Sequence, residues 1–287
     1  MFNTIKKYTS LVFFSHTLFA MPFALISFTL ASQSKVPRSL WLLLVQVIVC
    51  MVTARNSAMS FNRYVDRFID AQNPRTKERE LPAGKLLPKS VFLFFLVNTA
   101  LFMGCAFSIN ILCFYLTIPA LAVLCGYSYT KRFTWLSHFV LGLSLAIAPA
   151  GAFIAVTATL SLSVVLLSVM VVLWVSGFDI LYALSDEQHD KAYCLFSIPQ
   201  RFGQKRSLLI STGIHITLLP MLVLFGIFAH LGAIYWVATA LFTTLLAYQH
   251  LIVTPNDISK LNRAFFTANG TASVLFAALT ITDILLW

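Results

Sequence analysis

Charged residues are so sparse along this 287-residue chain that they punctuate a series of apolar runs. No Asp, Glu, Lys or Arg occurs among the 27 residues between Lys7 and Lys35, or the 16 between Arg38 and Arg55. Further uninterrupted runs hold 41 residues (Lys89 to Lys131), 46 (Arg132 to Asp179), 50 (Arg206 to Asp257) and 19 (Arg263 to Asp283). A helix needs roughly 20 apolar residues to cross the hydrocarbon core of a bilayer. The three longest runs therefore predict hairpins of two spans each. The pattern as a whole predicts an all-α, polytopic membrane protein, with nine transmembrane helices in one bundle and a single domain over residues 1–287.

Composition agrees with the pattern. The chain is 59% hydrophobic and 10% charged, with 26 Phe. Its mean hydropathy is +0.85. A soluble domain of this length carries far more charge. The apolar run from Tyr8, preceded by Lys6 and Lys7, is too long for an ordinary signal peptide and has no convincing small-residue cleavage site. It reads as the first span, with Ser15-His16 and Met21-Pro22 inside it. His16 reads as a packing or interface residue and not as a metal ligand, because no second His lies near it. The five Cys (50, 105, 113, 125 and 194) show no metal-binding spacing. They read as packing residues or idle thiols, four of them within spans.

The basic residues assign a side to each loop. With the N-terminus in the cytoplasm, the segments 62–89, 131–132, 185–206 and 256–263 all fall inside. Of 20 basic residues only Lys35 and Arg38 then fall outside, and Arg55 lies within a span. Trp287 ends outside. This is the positive-inside distribution, so the net charge of +10 signals sidedness. Binding to nucleic acid is a poor second reading, since the basic residues sit in short interhelical loops. No obligatory protein partner is evident.

Against this apolar background, Asn62, Asp66 and Asp70 recur every fourth residue at the cytoplasmic end of the second span. On a helix they share one face, roughly one turn apart. One amide and two carboxylates so stacked form a ladder of hard oxygen donors suited to Mg²⁺ carrying a phosphate ligand. Asp186 and Asp190 follow Asp66 and Asp70 at a constant interval of 120 residues. Asp179, Tyr182 and Asp186 again lie on one helical face, extended by Asp190 if the helix continues. Carboxylates bind a diphosphate through a metal, and a site at the membrane surface suits a substrate with a phosphorylated head and a long hydrocarbon tail.

Asn73-Pro74 and Pro82-Ala83-Gly84 are turn chemistry, so residues 71–89 read as a loop with room for a short helix near Thr76–Glu80. Arg75, Lys77, Arg79 and Lys85 there suit a diphosphate, because guanidinium groups fork onto phosphate oxygens. An ordinary positive-inside loop would carry the same charges, but the cluster stands beside two carboxylates. Arg55, about two turns before Asn62, is either paired with an anion or snorkels to the interface. The last three spans carry little sign of chemistry.

Both motifs, Asn62-x-x-x-Asp66-x-x-x-Asp70 and Asp179-x-x-Tyr182-Ala183-x-x-Asp186-x-x-x-Asp190, make the chain resemble the UbiA-type aromatic prenyltransferase family along nearly its whole length. One departure is Arg63, where many members place Asp directly after the Asn. The strings Ser60-Phe-Asn-Arg, Asn73-Pro-Arg-Thr, Leu81-Pro-Ala-Gly and Ser197-Ile-Pro-Gln-Arg-Phe-Gly resemble the 4-hydroxybenzoate polyprenyltransferase branch. That branch includes relatives in the futalosine route to menaquinone, so a dihydroxynaphthoate-type acceptor is the alternative.

The resemblance implies Mg²⁺ held by Asn62, Asp66, Asp70, Asp186 and Asp190, with Asp66, Asp186, Asp179 and Tyr182 as catalytic candidates. Arg55, Arg67, Arg75, Arg79, Lys131 and Arg132 are the implied substrate-binding residues, Arg132 and Arg55 being candidates for the acceptor's carboxylate. The partners implied are polyprenyl diphosphate, an aromatic acid and the lipid bilayer, in a cytoplasmic membrane. A transporter is the rival class, but its acids would cluster at mid-depth and not at the cytoplasmic helix ends. A soluble prenyl diphosphate synthase is excluded by the hydropathy.

Overall fold

The computed structural model describes residues 2–12, 19–34, 39–254 and 257–286. His16, Lys35, Arg38 and Trp287, to which the sequence assigns places in or outside the spans, lie outside the described residues. The described chain is helical: α1 (Phe2–Leu11), α2 (Met21–Ser32), α3 (Leu40–Gln72), α4 (Pro88–Ile109), α5 (Ile111–Thr130), α6 (Ser137–Thr157), α7 (Leu162–Ala183), α8 (Glu187–Ala192), α9 (Ile198–Phe228), α10 (Ala233–Ile252) and α11 (Asn269–Leu286). Among the described residues, seven helices are long and apolar enough to cross a membrane: α3 to α6, α7 running on into α8, α9, and α11 with its preceding turn. Helix α2, at 12 residues, is shorter. Helix α10, with Tyr235, Trp236, Gln249 and His250 in its 20 residues, stands outside the seven. Closed hydrogen bonding within each helix is what lets a backbone sit in hydrocarbon.

The apolar run from Tyr8 is not one helix. Residues up to Leu11 belong to α1, and α2 begins afresh at Met21 with Pro22 in its first turn, where a missing N–H costs nothing. The residues after Gln72 hold no helix near Thr76–Glu80. They form consecutive turns as far as Pro88.

The chain divides into two units, residues 1–17 with 41–129 and residues 18–40 with 130–287. In the first, α3 and α4 run antiparallel and are joined by polar rungs. Gln46 Nε2 donates to Ser108 Oγ (2.8 Å), Asn56 Nδ2 to Asn98 Oδ1 (3.0 Å) and Thr99 Oγ1 to Ser57 Oγ (3.2 Å). Lipid tails supply little hydrophobic drive between helices, so such bonds and close packing hold the pair. Asn110 alone separates α4 from α5, and its Oδ1 accepts the Cys113 N–H at 2.7 Å, capping the new helix. Helix α1 lies on the loop after α3: Lys7 Nζ donates to the Lys85 carbonyl (3.1 Å), and Leu11 packs with Leu81 and Val91.

The second unit is built on α7. Trp174 is fully buried among Phe19, Phe23, Phe178 and Phe242. Helices α6 and α7 approach closely at Gly142, where a Cβ would stand 2.6 Å from the Val172 carbonyl oxygen. Ser27 Oγ of α2 donates to the Pro149 carbonyl of α6 at 2.6 Å. The fully buried Asp283 of α11 accepts the backbone N–H groups of Gly232 (2.6 Å), Ile234 (3.0 Å) and Tyr235 (3.2 Å), closing the open start of α10.

Candidate functional site: two acidic helix faces

Helix α3 is 33 residues long, about 50 Å at 1.5 Å per residue, against roughly 30 Å of hydrocarbon. Its length thus exceeds what a crossing requires, and the first ladder is on its final turns. Asn62 Nδ2 donates to Asp66 Oδ2 at 2.9 Å. Asp70 is buried; its Oδ1 accepts from Arg79 Nη1 at 2.7 Å, and its Oδ2, 3.9 Å from Arg63 Nη1, takes no hydrogen bond. Arg63, the departure noted in the first motif, thus places a buried cation against the last carboxylate of the ladder.

The following loop is tied to the same residue. Thr76 Oγ1 donates to the Asp70 carbonyl (2.9 Å), and Asn73 Oδ1 accepts the Arg75 N–H (2.9 Å). The turn closes at Gly84, whose φ of +66° is a left-handed conformation that favours glycine. Of the basic candidates, Arg79 is engaged by Asp70. Arg67 lies over the rings of Tyr64 and Phe68 at 4.5 and 4.3 Å and donates to the Tyr64 carbonyl. Arg75 is exposed. Arg55 is half-buried, with Nε and Nη2 both buried and without a hydrogen bond.

In the second unit the motif crosses a change of helix type. Helix α7 ends at Ala183, residues Leu184–Asp186 form a 3₁₀ turn, and α8 resumes at Glu187. The line of acids therefore continues, with one tightened turn. Asp186 and Asp190 are buried. Asp190 Oδ2 lies 3.7 Å from Lys131 Nζ and takes no hydrogen bond. Lys131 is held by its own backbone, whose carbonyl accepts the Phe196 N–H at 2.7 Å. Arg132 beside it is exposed. Tyr182 stacks on Phe265 with ring centroids 4.2 Å apart, and Phe265 stands on a π-helical turn, Arg263–Ala268, that leads into α11.

Each ladder thus carries one buried carboxylate oxygen without a hydrogen bond, Asp70 Oδ2 and Asp190 Oδ2, with a cationic side chain near it. Together with Asn62, Asp66 and Asp186 these are hard oxygen donors, the set that Mg²⁺ prefers. Within neither unit, among the described residues, do three His, Cys, Asp or Glu side chains converge so as to hold a metal ion unaided. The donor chemistry fits, and other oxygen ligands, such as phosphate or water, would have to complete the coordination.

Two features have no counterpart in the motifs. His138 of α6 is fully buried and contacts Asp179, Nδ1 to Oδ2, at 2.7 Å. The last three helices, which read as chemically quiet, contribute to a buried polar ring closed by Trp174 of α7. Trp174 Nε1 donates to Asn269 Oδ1 (3.0 Å), and Asn269 Nδ2 donates to Gln249 Oε1 (2.9 Å). Gln249 Nε2 reaches His215 Nδ1 (3.4 Å), and His215 Nε2 returns to the Trp174 carbonyl (3.1 Å). His250 Nε2 contacts His215 Nδ1 at 2.7 Å.

Apolar helices bearing two acidic faces are the architecture of an integral-membrane protein, and comparison with known proteins identifies its class. Residues 20–270 match the UbiA prenyltransferase family. The chain is 31% identical over 242 residues to the 4-hydroxybenzoate octaprenyltransferase of Yersinia pseudotuberculosis serotype O:3 (strain YPIII), covering 83% of each chain. A UbiA homolog from Aeropyrum pernix K1, solved in its apo form, superposes with a TM-score of 0.84 at 27% identity over 93% of this chain and 98% of that one. A UbiA homolog from Archaeoglobus fulgidus, solved bound to GPP and Mg2+, shares the fold with a TM-score of 0.72 at 20% identity over 97% and 99% of the two chains. The chain belongs to the UbiA prenyltransferase family.

Proposed function

We propose that the protein transfers a polyprenyl group from polyprenyl diphosphate to a ring carbon of an aromatic acid, 4-hydroxybenzoate before a dihydroxynaphthoate-type acceptor, in quinone biosynthesis. The observation that carries this reading is the pair of acidic helix faces, each with a buried carboxylate oxygen lacking a hydrogen bond. The similarity to a 4-hydroxybenzoate octaprenyltransferase supports the choice of acceptor. In this reading the apolar run between Lys7 and Lys35, which holds α2, joins α10 and the seven long apolar helices as spans, making nine. The N-terminus and both ladders then face the cytoplasm, at the inner membrane.

Asn62, Asp66 and Asp70 would hold Mg²⁺ on the first unit, and Asp186 and Asp190 would do so on the second. When bound, the ion neutralises the diphosphate and stabilises the departing pyrophosphate. Arg75, Arg67 and Lys131 add positive charge for the leaving group, and Arg79 turns from Asp70 to a phosphate oxygen once Asp70 is engaged. The C–O bond to the diphosphate breaks, and the resulting allylic cation is kept from water by apolar walls. A ring carbon of the phenol attacks, a C–C bond forms, and the ring proton leaves to a base. Arg132 or Arg55 grips the acceptor's carboxylate with two parallel hydrogen bonds. Asp179 and Tyr182 shape the site.

The test is to incubate membranes containing the protein with a polyprenyl diphosphate, Mg²⁺ and a panel of aromatic acids, and to identify products by mass. Prenylated 4-hydroxybenzoate is expected. Product from dihydroxynaphthoates alone would move the chain to the alternative acceptor, and no product from any acid would sink the reading.

A further inference from the structure

His138 takes no part in the scheme above, yet a wholly buried imidazole in a membrane helix needs a reason. Its side chain is 0% exposed, whereas that of Asp179 keeps 15% of its surface open. The imidazole thus holds the carboxylate from behind. On its other side the ring meets the backbone N–H of Ile198, 3.3 Å from Nε2. A backbone N–H can only donate, so Nε2 accepts and the ring proton is on Nδ1. That proton points at Asp179 Oδ2, 2.7 Å away.

The ring itself is fixed. His138 is the second residue of α6, Asp179 stands near the end of α7, and Ile198 opens α9 behind its N-cap Ser197. Ser176 Oγ, one turn before Asp179, donates to the His138 carbonyl at 3.2 Å. Three helices therefore converge on one imidazole. We propose that His138 is a positioning residue for Asp179, holding its carboxylate in the single orientation that prenyl transfer uses. The inference rests on the reading of Asp179 as part of the prenyl-transfer site. A side chain reaches productive geometry when its own rotamer is locked by a second layer of hydrogen bonds.

Three substitutions in the full-length, membrane-embedded protein separate the two bonds. His138→Asn puts an amide N–H where Nδ1 stood and leaves the Ile198 N–H without an acceptor. His138→Gln puts an amide oxygen where Nε2 stood and leaves Asp179 without its donor. His138→Leu removes both. If the imidazole positions Asp179, kcat falls roughly 10- to 100-fold in the Gln and Leu variants with little change in either KM. His138→Asn recovers most of that loss. Heat stability follows the other bond, with Gln above Asn.

Wild-type kcat in the Gln and Leu variants would overturn the inference. So would a parallel fall of kcat and heat stability in all three, because a purely structural role predicts that activity tracks folding. Asp179→Asn is measured alongside. If it retains full kcat, the placing of Asp179 in the site fails and the role of His138 fails with it. If Asp179→Asn is impaired while His138→Gln is not, only the positioning role is lost.

Discussion

Adding one methyl group at Gly177 tests the packing behind the second motif. A Cβ built there would stand 2.2 Å from His215 Nε2, 2.4 Å from Cδ2 and 2.8 Å from Cε1. The ring cannot swing away cheaply, because Nε2 bonds the Trp174 carbonyl at 3.1 Å and Nδ1 meets His250 at 2.7 Å. Overpacking costs about 1–3 kcal/mol. Displacing the ring also strands buried polar groups, at about 1–3 kcal/mol. Gly177→Ala should therefore destabilise the protein by roughly 2–6 kcal/mol. In detergent this reads as a fall of roughly 5–15 °C in the temperature at which half the protein leaves the monodisperse peak. Adding His215→Ala removes the clashing ring, so the double variant should lose less than the sum of the singles. A midpoint for Gly177→Ala within a degree or so of wild type would refute the packing argument, as would strict additivity.

Asp66→Ala and Asp186→Ala should each lower prenyl transfer by at least ~100-fold while leaving the amount of protein in the membrane unchanged; near wild-type turnover in either would remove the metal-ladder reading. Excess EDTA should abolish transfer and added Mg²⁺ restore it, whereas full activity in chelator would leave the diphosphate to Arg and Lys alone. Arg132→Lys should raise KM for the aromatic acid more than for the prenyl donor, because an ammonium cannot reproduce the planar fork of a guanidinium. A rise confined to the donor would assign Arg132 to the diphosphate and leave Arg55, with its unbonded Nε and Nη2, for the carboxylate.

The helices were legible because a bilayer tolerates so little charge that each interruption marks an end. The break between α1 and α2 was not, since Met21-Pro22 looks like any proline in an apolar run until the chain is seen to restart there. The two ladders were legible because the members of each lie within a few turns of one another along the chain. Their partners were not. The contact of His138 with Asp179 spans 41 positions, and the Trp174–Asn269 bond spans 95. Periodicity along one helix carries no information about which distant helix lies beside it. Arg63 appeared only as a departure from a motif; its role as counter-charge to Asp70 needed the fold.

The carboxylate of Asp283 has a consequence for how the chain is made. It satisfies backbone groups at the start of α10, as far as 51 positions upstream at Gly232, so α10 leaves the ribosome well before the residue that completes it. Until then, three N–H groups at its start have no partner, each costing several kcal/mol if exposed to hydrocarbon. Helix α10 is also not among the seven helices that are long and apolar enough to cross a membrane. The start of α10 is thus completed only when α11 lies beside it. A chain cut just before Asp283 would keep almost all of its sequence and still present an unfinished helix to the machinery that inspects new membrane proteins.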